Sequence, residues 1–487
     1  MNIAFDNDKY LKLQAEKISE RIEKFNNKLY LEFGGKIFDD YHASRVLPGF
    51  QIDSKVQMLF GIKDKVEIVI AISAPDIQMG KMRGDYGISY EDEVFRMIAS
   101  FKKMDLYVGS VVITKYNNEP LVQRFVRKLK YQGIPVFYHY PIPGYPTDPN
   151  LIVSKNGFGK NDYIKTTRSL IVVTAPGPGS GKMATCLSQL YHESLHGINA
   201  GYAKYETFPI WNLTLKHPVN LAYEAATADL MDVNMIDPFH LNAYGEIAIN
   251  YNRDVEVFPV VEALLRKIYG TCPYKSPTDM GVNMAGFCIV DESMVENACK
   301  QEIVRRYYQA KCSVRLGKCS DQVVDKIELI MSQLPVDTSI RKTVQAALKK
   351  EKEKNASVLA IELHDGTIIT GKESSLFSAL SAALLNAIKY LSGVKDELKL
   401  VSPNILKPIQ NLKQHIFKQD TIRLNAQDLL TALSINATTN PIVEEALSKL
   451  VELYGTEAHS TSMLSYDDEK ILKKLKINVT SEPIIKY

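Results

Sequence analysis

Up to residue 200 the chain alternates short apolar runs with amphipathic stretches. Runs at Leu29 to Phe33, Val66 to Ser73, Leu106 to Thr114, Ile134 to Tyr140 and Leu170 to Thr174 have strand length and are mostly apolar. Between them, Tyr90 to Lys103, Glu119 to Gln132 and Gly181 to His196 repeat apolar residues at helical spacing, the second stopped by Gly133. Largely apolar runs that do not alternate with polar positions read as strands covered on both faces. Their alternation with helices predicts an α/β fold with a mostly parallel, doubly wound sheet. Ligands of such sheets bind beyond the carboxyl ends of the strands.

The pattern changes after Ile198. To Lys318 it reads as mainly helical, broken by polar loops bearing glycine and proline. Asp321 to Leu334 and Thr338 to Lys354 read as two helices, the second ending in a run of lysines and glutamates. Beyond them Ser357 to Leu363, an Asp365-Gly366 turn and Thr367 to Gly371 form a hairpin pattern. An apolar helix at Ser375 to Leu391, a strand near Leu398, a segment from His459, a helix and Ile477 to Thr480 complete it. The expected domains are therefore 1–325, with a helical, loop-rich part at 198–325, a helical linker at 326–355, and a smaller α/β domain at 356–487.

Composition adds exclusions. A formal charge of +3 with both signs interspersed calls for neither nucleic acid nor an anionic membrane as partner. The N-terminal residues lack the basic start and apolar core of a signal peptide, and no apolar run reaches spanning length, so the expected location is cytoplasmic. Six cysteines without a C-x-x-C pair read as reduced thiols.

The chemistry concentrates after the Leu170 to Thr174 run, in Ala-Pro-Gly177-Pro-Gly179-Ser180-Gly181-Lys182-Met-Ala-Thr185. Glycines let a loop turn its N–H groups inward, a following helix offers its positive end, and a lysine adds charge: the elements of a phosphate cradle. Against the consensus G-x-x-x-x-G-K-[ST], Pro176 replaces the first glycine and Met183 the hydroxyl that ligates Mg²⁺. Thr185 lies about 200° further round the helix. Gly177, Gly179, Ser180, Gly181, Lys182 and Thr185 are thus candidates for binding ATP or another phosphorylated ligand. Any Mg²⁺ would need Asp76, Asp229 or Asp237.

Residues just past the other strands gather at the same edge: Lys36, Asp76, the loop Gly80 to Asp85 with Lys81 and Arg83, Lys115 and His139. Lys36, Lys81, Arg83, Arg253, Lys275 and Asn283 are candidate contacts to a small anionic substrate, and Lys182, Asp254, Asp279 and His240 candidate catalytic groups. The helix after the loop also carries His192-Glu193-Ser-Leu-His196, a literal H-E-x-x-H, for which Glu224 would be the third zinc ligand. On a helical wheel these residues share a face with Thr185 and Gln189, opposite the apolar one, as a solvated face or a metal cleft would. Zn²⁺ is not expected, because three fixed residues recur by chance and the metzincin continuation is missing.

Four stretches, Phe33 to Phe50, Ala175 to His192, His217 to Asp229 and Tyr274 to Gly286, resemble the bacterial group known as uncharacterised protein family 0371, and the likeness runs along nearly the whole chain. The resemblance implies a cytoplasmic bacterial protein with a nucleotide-binding-like α/β region and a separate C-terminal domain, and it names no reaction. The leading expectation is an ATP-dependent transferase, ligase or NTPase acting on a small anionic metabolite. The alternatives are a zinc hydrolase and a non-catalytic homo-oligomeric scaffold or ligand sensor.

Overall fold

The computed structural model describes residues 3–83, 87–419 and 421–486; Gly84 and Asp85 of the expected basic loop lie outside them. Two compact units divide the chain at 1–299 and 300–487, so the helices read as a linker fall within the second unit.

In the first unit six strands, β1 (Leu29–Phe33), β2 (Val66–Ser73), β3 (Tyr107–Thr114), β4 (Val136–Tyr138), β5 (Leu170–Thr174) and β6 (Gly201–Tyr205), form one sheet in the order β4-β3-β2-β5-β1-β6. Every pairing is parallel. All residues of β1, β2 and β5 are buried, which is why those runs are largely unbroken by polar positions. Helices α1 (Asn7–Lys24), α2 (Tyr90–Lys103), α3 (Pro120–Tyr131), α4 (Lys182–Leu195) and α5 (Asn252–Tyr269) belong to the same unit. Alternate residues of β6 show that both faces are covered: the Tyr205 hydroxyl meets that of Tyr10 on α1, whereas Lys204 meets Asp254 on α5.

The strand β6 corrects the expectation of a mainly helical region after Ile198. Its sequence Gly-Tyr-Ala-Lys-Tyr has a lysine where a buried strand is ordinarily apolar. The chain leaves β2 toward β3 on one side and β5 toward β6 on the other, across β1. The topological switch point therefore lies between the carboxyl ends of β2 and β5, and the glycine loop follows β5.

The second unit holds β7 (Val358–Glu362), β8 (Ile368–Lys372), β9 (Glu457–Ser460) and β10 (Asn478–Ser481) in the order β8-β7-β9-β10, with only β9 and β10 parallel. Helix α6 (Lys342–Lys354) packs on this sheet, as does α7 (Ala379–Leu391), whose Ala383 backbone comes so close to Gly371 of β8 that a side chain there would collide. Leu398 lies in a bend rather than the expected strand, and the stretch beyond it forms helices at Pro403–Asn411, Ala426–Ala437 and Pro441–Ser448. Among the described residues no helix is long and apolar enough to cross a membrane, and all six cysteines are free.

Candidate functional site

The glycine loop owes its shape to two residues in the left-handed region, Gly179 at φ +76 and Gly181 at φ +84. Gly181 is also the N-cap of α4 and has no side chain to cap with. The first ladder bond of the helix is Thr185 N–H to Gly181 C=O at 2.9 Å, and the N–H groups of Lys182, Met183 and Ala184 meet no acceptor among the described residues. The loop carbonyls, by contrast, are tied down. Gly177 C=O accepts from Ser180 Oγ at 2.9 Å, Ser180 C=O from Thr114 Oγ1 at 2.8 Å and Gly179 C=O from Lys115 Nζ at 3.4 Å. In a trans peptide the N–H opposes the C=O, so the Gly181 N–H points away from Thr114.

Tyr90 presses its hydroxyl against Gly177, where any Cβ would collide. Lys81 Nζ stands 5.1 Å from the centroid of the Tyr90 ring and 3.2 Å from Asp76 Oδ1. Lys81 and Asp76, through Tyr90, and Lys115, through Gly179, thus stand beside the loop. Lys182 is half-buried, and its charge and that of Glu32 both act on the buried Cys186, whose thiol is pushed up by burial. Thr185 is fully buried and its Oγ1 has no partner.

Past β6 stands a second polar group that sequence reasoning missed, apart from Asp254. Lys204 Nζ lies 2.6 Å from both Asp254 carboxylate oxygens and 3.5 Å from Glu206, and it also donates to the Tyr251 hydroxyl, which in turn donates to Glu206. On β1 Glu32 accepts from Tyr202 at 2.6 Å. Burial alone would lower the Lys204 pKa, but Asp254, Glu206 and Glu32 hold it above its ordinary value. Burial pushes the Asp254 carboxyl up, against the pull of Lys204. A lysine inside an otherwise buried strand was the one signal in the sequence.

Several expected roles do not survive the geometry. Asp254 is held by Lys204 and is not a free base. Arg253 forms a fork on Asp232, with Nε 2.6 Å from Oδ1 and Nη2 2.8 Å from Oδ2, and Arg83 is spent on the buried Glu93. Asp237 caps Phe239 and His240 with one oxygen and accepts from Thr278 N–H and Oγ1 with the other. His240 Nδ1 meets Ser276 Oγ at 3.0 Å, and Asp279 accepts from Tyr244 at 2.9 Å and from Lys275 N–H at 2.8 Å. Lys275 Nζ lies 5.3 Å from the Tyr244 ring. Asn283 bonds the backbone of Thr207 and Ala285. These contacts lock loops to one another. Lys36 follows β1 at the expected edge, and its carbonyl accepts from Lys55 at 3.1 Å. His139 is buried against Gln189, and burial lowers its pKa to about 3.

The metal sets fail in the same way. Asp76 is engaged by Lys81, Asp237 by caps, and Asp229 lies exposed on a short turn. Among the described residues no three His, Cys, Asp or Glu side chains come together as a metal-holding group, so neither the Mg²⁺ trio nor His192, His196 and Glu224 forms one. His192 Nε2 lies 3.0 Å from Phe158 C=O, and burial lowers its pKa. His196 Nδ1 lies 2.8 Å from His192 C=O. Glu193 accepts from Tyr30 at 2.7 Å and from Tyr163 at 3.2 Å, with Lys28 3.6 Å away. Glu224 accepts from Asn234 N–H at 3.3 Å. Most of the polar face of α4 is interior rather than solvated, with His196 exposed at its end. Thr185, Gln189 and Glu193 are fully buried on it, partly under the segment from Phe158 to Ile164.

Fold and site together define a protein of two α/β units with a glycine-rich strand-to-helix turn at the switch point of the larger sheet. The chain matches the family models described as domain of unknown function DUF1846, N-terminal, over residues 3–335 and DUF1846, C-terminal, over residues 339–487. It is 53% identical over 484 residues to a UPF0371 protein of Streptococcus thermophilus strain CNRZ 1066, covering 99% of this chain and 98% of that one. A UPF0371 protein of Streptococcus pneumoniae strain JJA matches at the same identity and coverage. The chain belongs to this UPF0371 family, whose function is uncharacterised.

Proposed function

We propose that the protein binds a phosphorylated ligand, ATP or another nucleotide among the candidates, at the loop from Gly177 to Lys182 and acts there on a small anionic metabolite. The observation that carries the reading is the open first turn of α4: unpaired N–H groups at a helix N-terminus beside Lys182, at the carboxyl edge of a parallel sheet. Lys115 adds positive charge at the same place. In a transfer reaction Lys182 and the backbone N–H groups would steady the charge that builds on the phosphoryl oxygens.

Magnesium does not fit this loop in the ordinary way, since Met183 offers no hydroxyl and Asp76 is paired with Lys81. The test is thermal unfolding with ATP, ADP, GTP and inorganic phosphate, with Mg²⁺ or with EDTA. A ligand that binds only the folded chain raises the midpoint. The expected result is a shift that Lys182→Ala removes. A shift that survives Lys182→Ala, or none with any of these ligands, would remove the loop from consideration.

A further inference from the structure

Ordinary phosphate loops bind their ligand with Mg²⁺, held by the hydroxyl after the lysine and by an aspartate at a strand end. Here position 183 is Met, and the strand-end aspartate, Asp76, is buried and neutralised by Lys81 at 3.2 Å. What stands beside the loop instead is a lysine in an unusual backbone state. Lys115, directly after β3, has φ +53, in the left-handed region that costs an L-residue with a Cβ energy and suits glycine or asparagine. Its exposed side chain turns back onto the loop, with Nζ 3.4 Å from Gly179 C=O.

A second observation lies behind the loop. Thr185 Oγ1 is completely buried and has no partner, which is rare for a hydroxyl in a protein interior. Side chains of a helix lean toward its N-terminus, so this one leans back over the first turn of α4.

We infer that Lys115 takes the place of the divalent cation, so that the loop binds phosphoryl groups free of metal. Monoesters, pyrophosphate and uncomplexed nucleotide are then the ligand class, with Lys115 and Lys182 on two sides of the phosphoryl oxygens and backbone N–H groups between them. The inference rests on the loop being the phosphate site.

The experiment is calorimetric titration of pyrophosphate and of ATP into the full chain, each in EDTA and in Mg²⁺, for the wild type, Lys182→Ala and Lys115→Gly. Glycine accepts φ +53 without strain, so Lys115→Gly keeps or raises the unfolding midpoint and separates loss of charge from loss of fold. Expected are a wild-type affinity in EDTA equal to or tighter than in Mg²⁺, and a weakening of about tenfold or more in Lys115→Gly. Binding that Lys182→Ala abolishes but that Mg²⁺ strengthens about tenfold would overturn the inference and leave the site standing. Lys115→Gly that binds like the wild type would overturn it as well. If neither probe binds the wild type, the site itself falls, and the inference with it.

Discussion

The two ends of α4 carry the two motifs of this chain, and they differ in one physical respect. At the start, Lys182, Met183 and Ala184 hold out N–H groups that nothing in the described structure accepts. Near the end, both carboxylate oxygens of Glu193 accept tyrosine hydroxyls, while His192 and His196 each set a ring nitrogen against a backbone carbonyl. A motif is a list of residue types, and chemistry needs atoms with spare capacity. In the literal H-E-x-x-H the glutamate and one ring nitrogen of each histidine are spent on the fold; in the imperfect glycine loop the first-turn N–H groups are not.

The contrast can be broken first at Glu193. Glu193→Ala leaves two tyrosine hydroxyls and Lys28 facing a buried gap and is expected to cost about 3 kcal/mol. Denaturant unfolding should show that loss while the affinity for phosphate ligands stays as in the wild type. A loss of affinity without loss of stability would make Glu193 a functional group after all. Lys182→Ala should do the reverse, weakening binding about a hundredfold, or about 2.7 kcal/mol, with an unchanged unfolding midpoint.

Between the two ends, Gln189 meets His139, whose native pKa of about 3 lies below the ordinary histidine value. The unfolded chain takes up a proton below about pH 6.5 that the native chain refuses until about pH 3, so the neutral ring's contribution is complete above 6.5 and is lost as the pH falls. The loss is expected to run at up to about 1.4 kcal/mol per pH unit. Comparing wild type with His139→Gln by denaturant unfolding at pH 6.5 and 5.5 reads it out. Equal slopes in the two proteins would show that the ring is protonated, or relaxed, in the native state.

The sheet was legible because burial on both faces leaves strands such as Val66 to Ser73 largely free of polar residues. The same rule hid β6, where Lys204 interrupts the pattern and is accepted because Asp254, about 170 Å of fully extended chain away, folds back to meet it. The glycine loop and its place past the carboxyl end of a strand followed from residue types, whereas its position at the switch point depends on the strand order that the fold shows. What the wheel of α4 could not reveal was its partner: Asn161 and Ile164, from a stretch with no periodicity, bond Ser188 and Gln189 and turn an apparently wet face into interior. The roles assigned to Asp237, His240 and Asp279 failed for a related reason. Each sits at a helix start near a proline, where Asp237 is used up as a cap, His240 Nδ1 by Ser276, and Asp279 by Tyr244 and the Lys275 N–H.

The glycine that begins α4 sets a clock as well as a shape. With no side chain or carbonyl over the first turn, the amide protons of Lys182, Met183 and Ala184 have nothing to hold them back from solvent exchange. A bound anion would slow all three together, while amides deep in the ladder, such as those of Leu187 and Leu190, keep their own pace. The residence of a guest at this loop is therefore written in the lifetimes of three neighbouring protons.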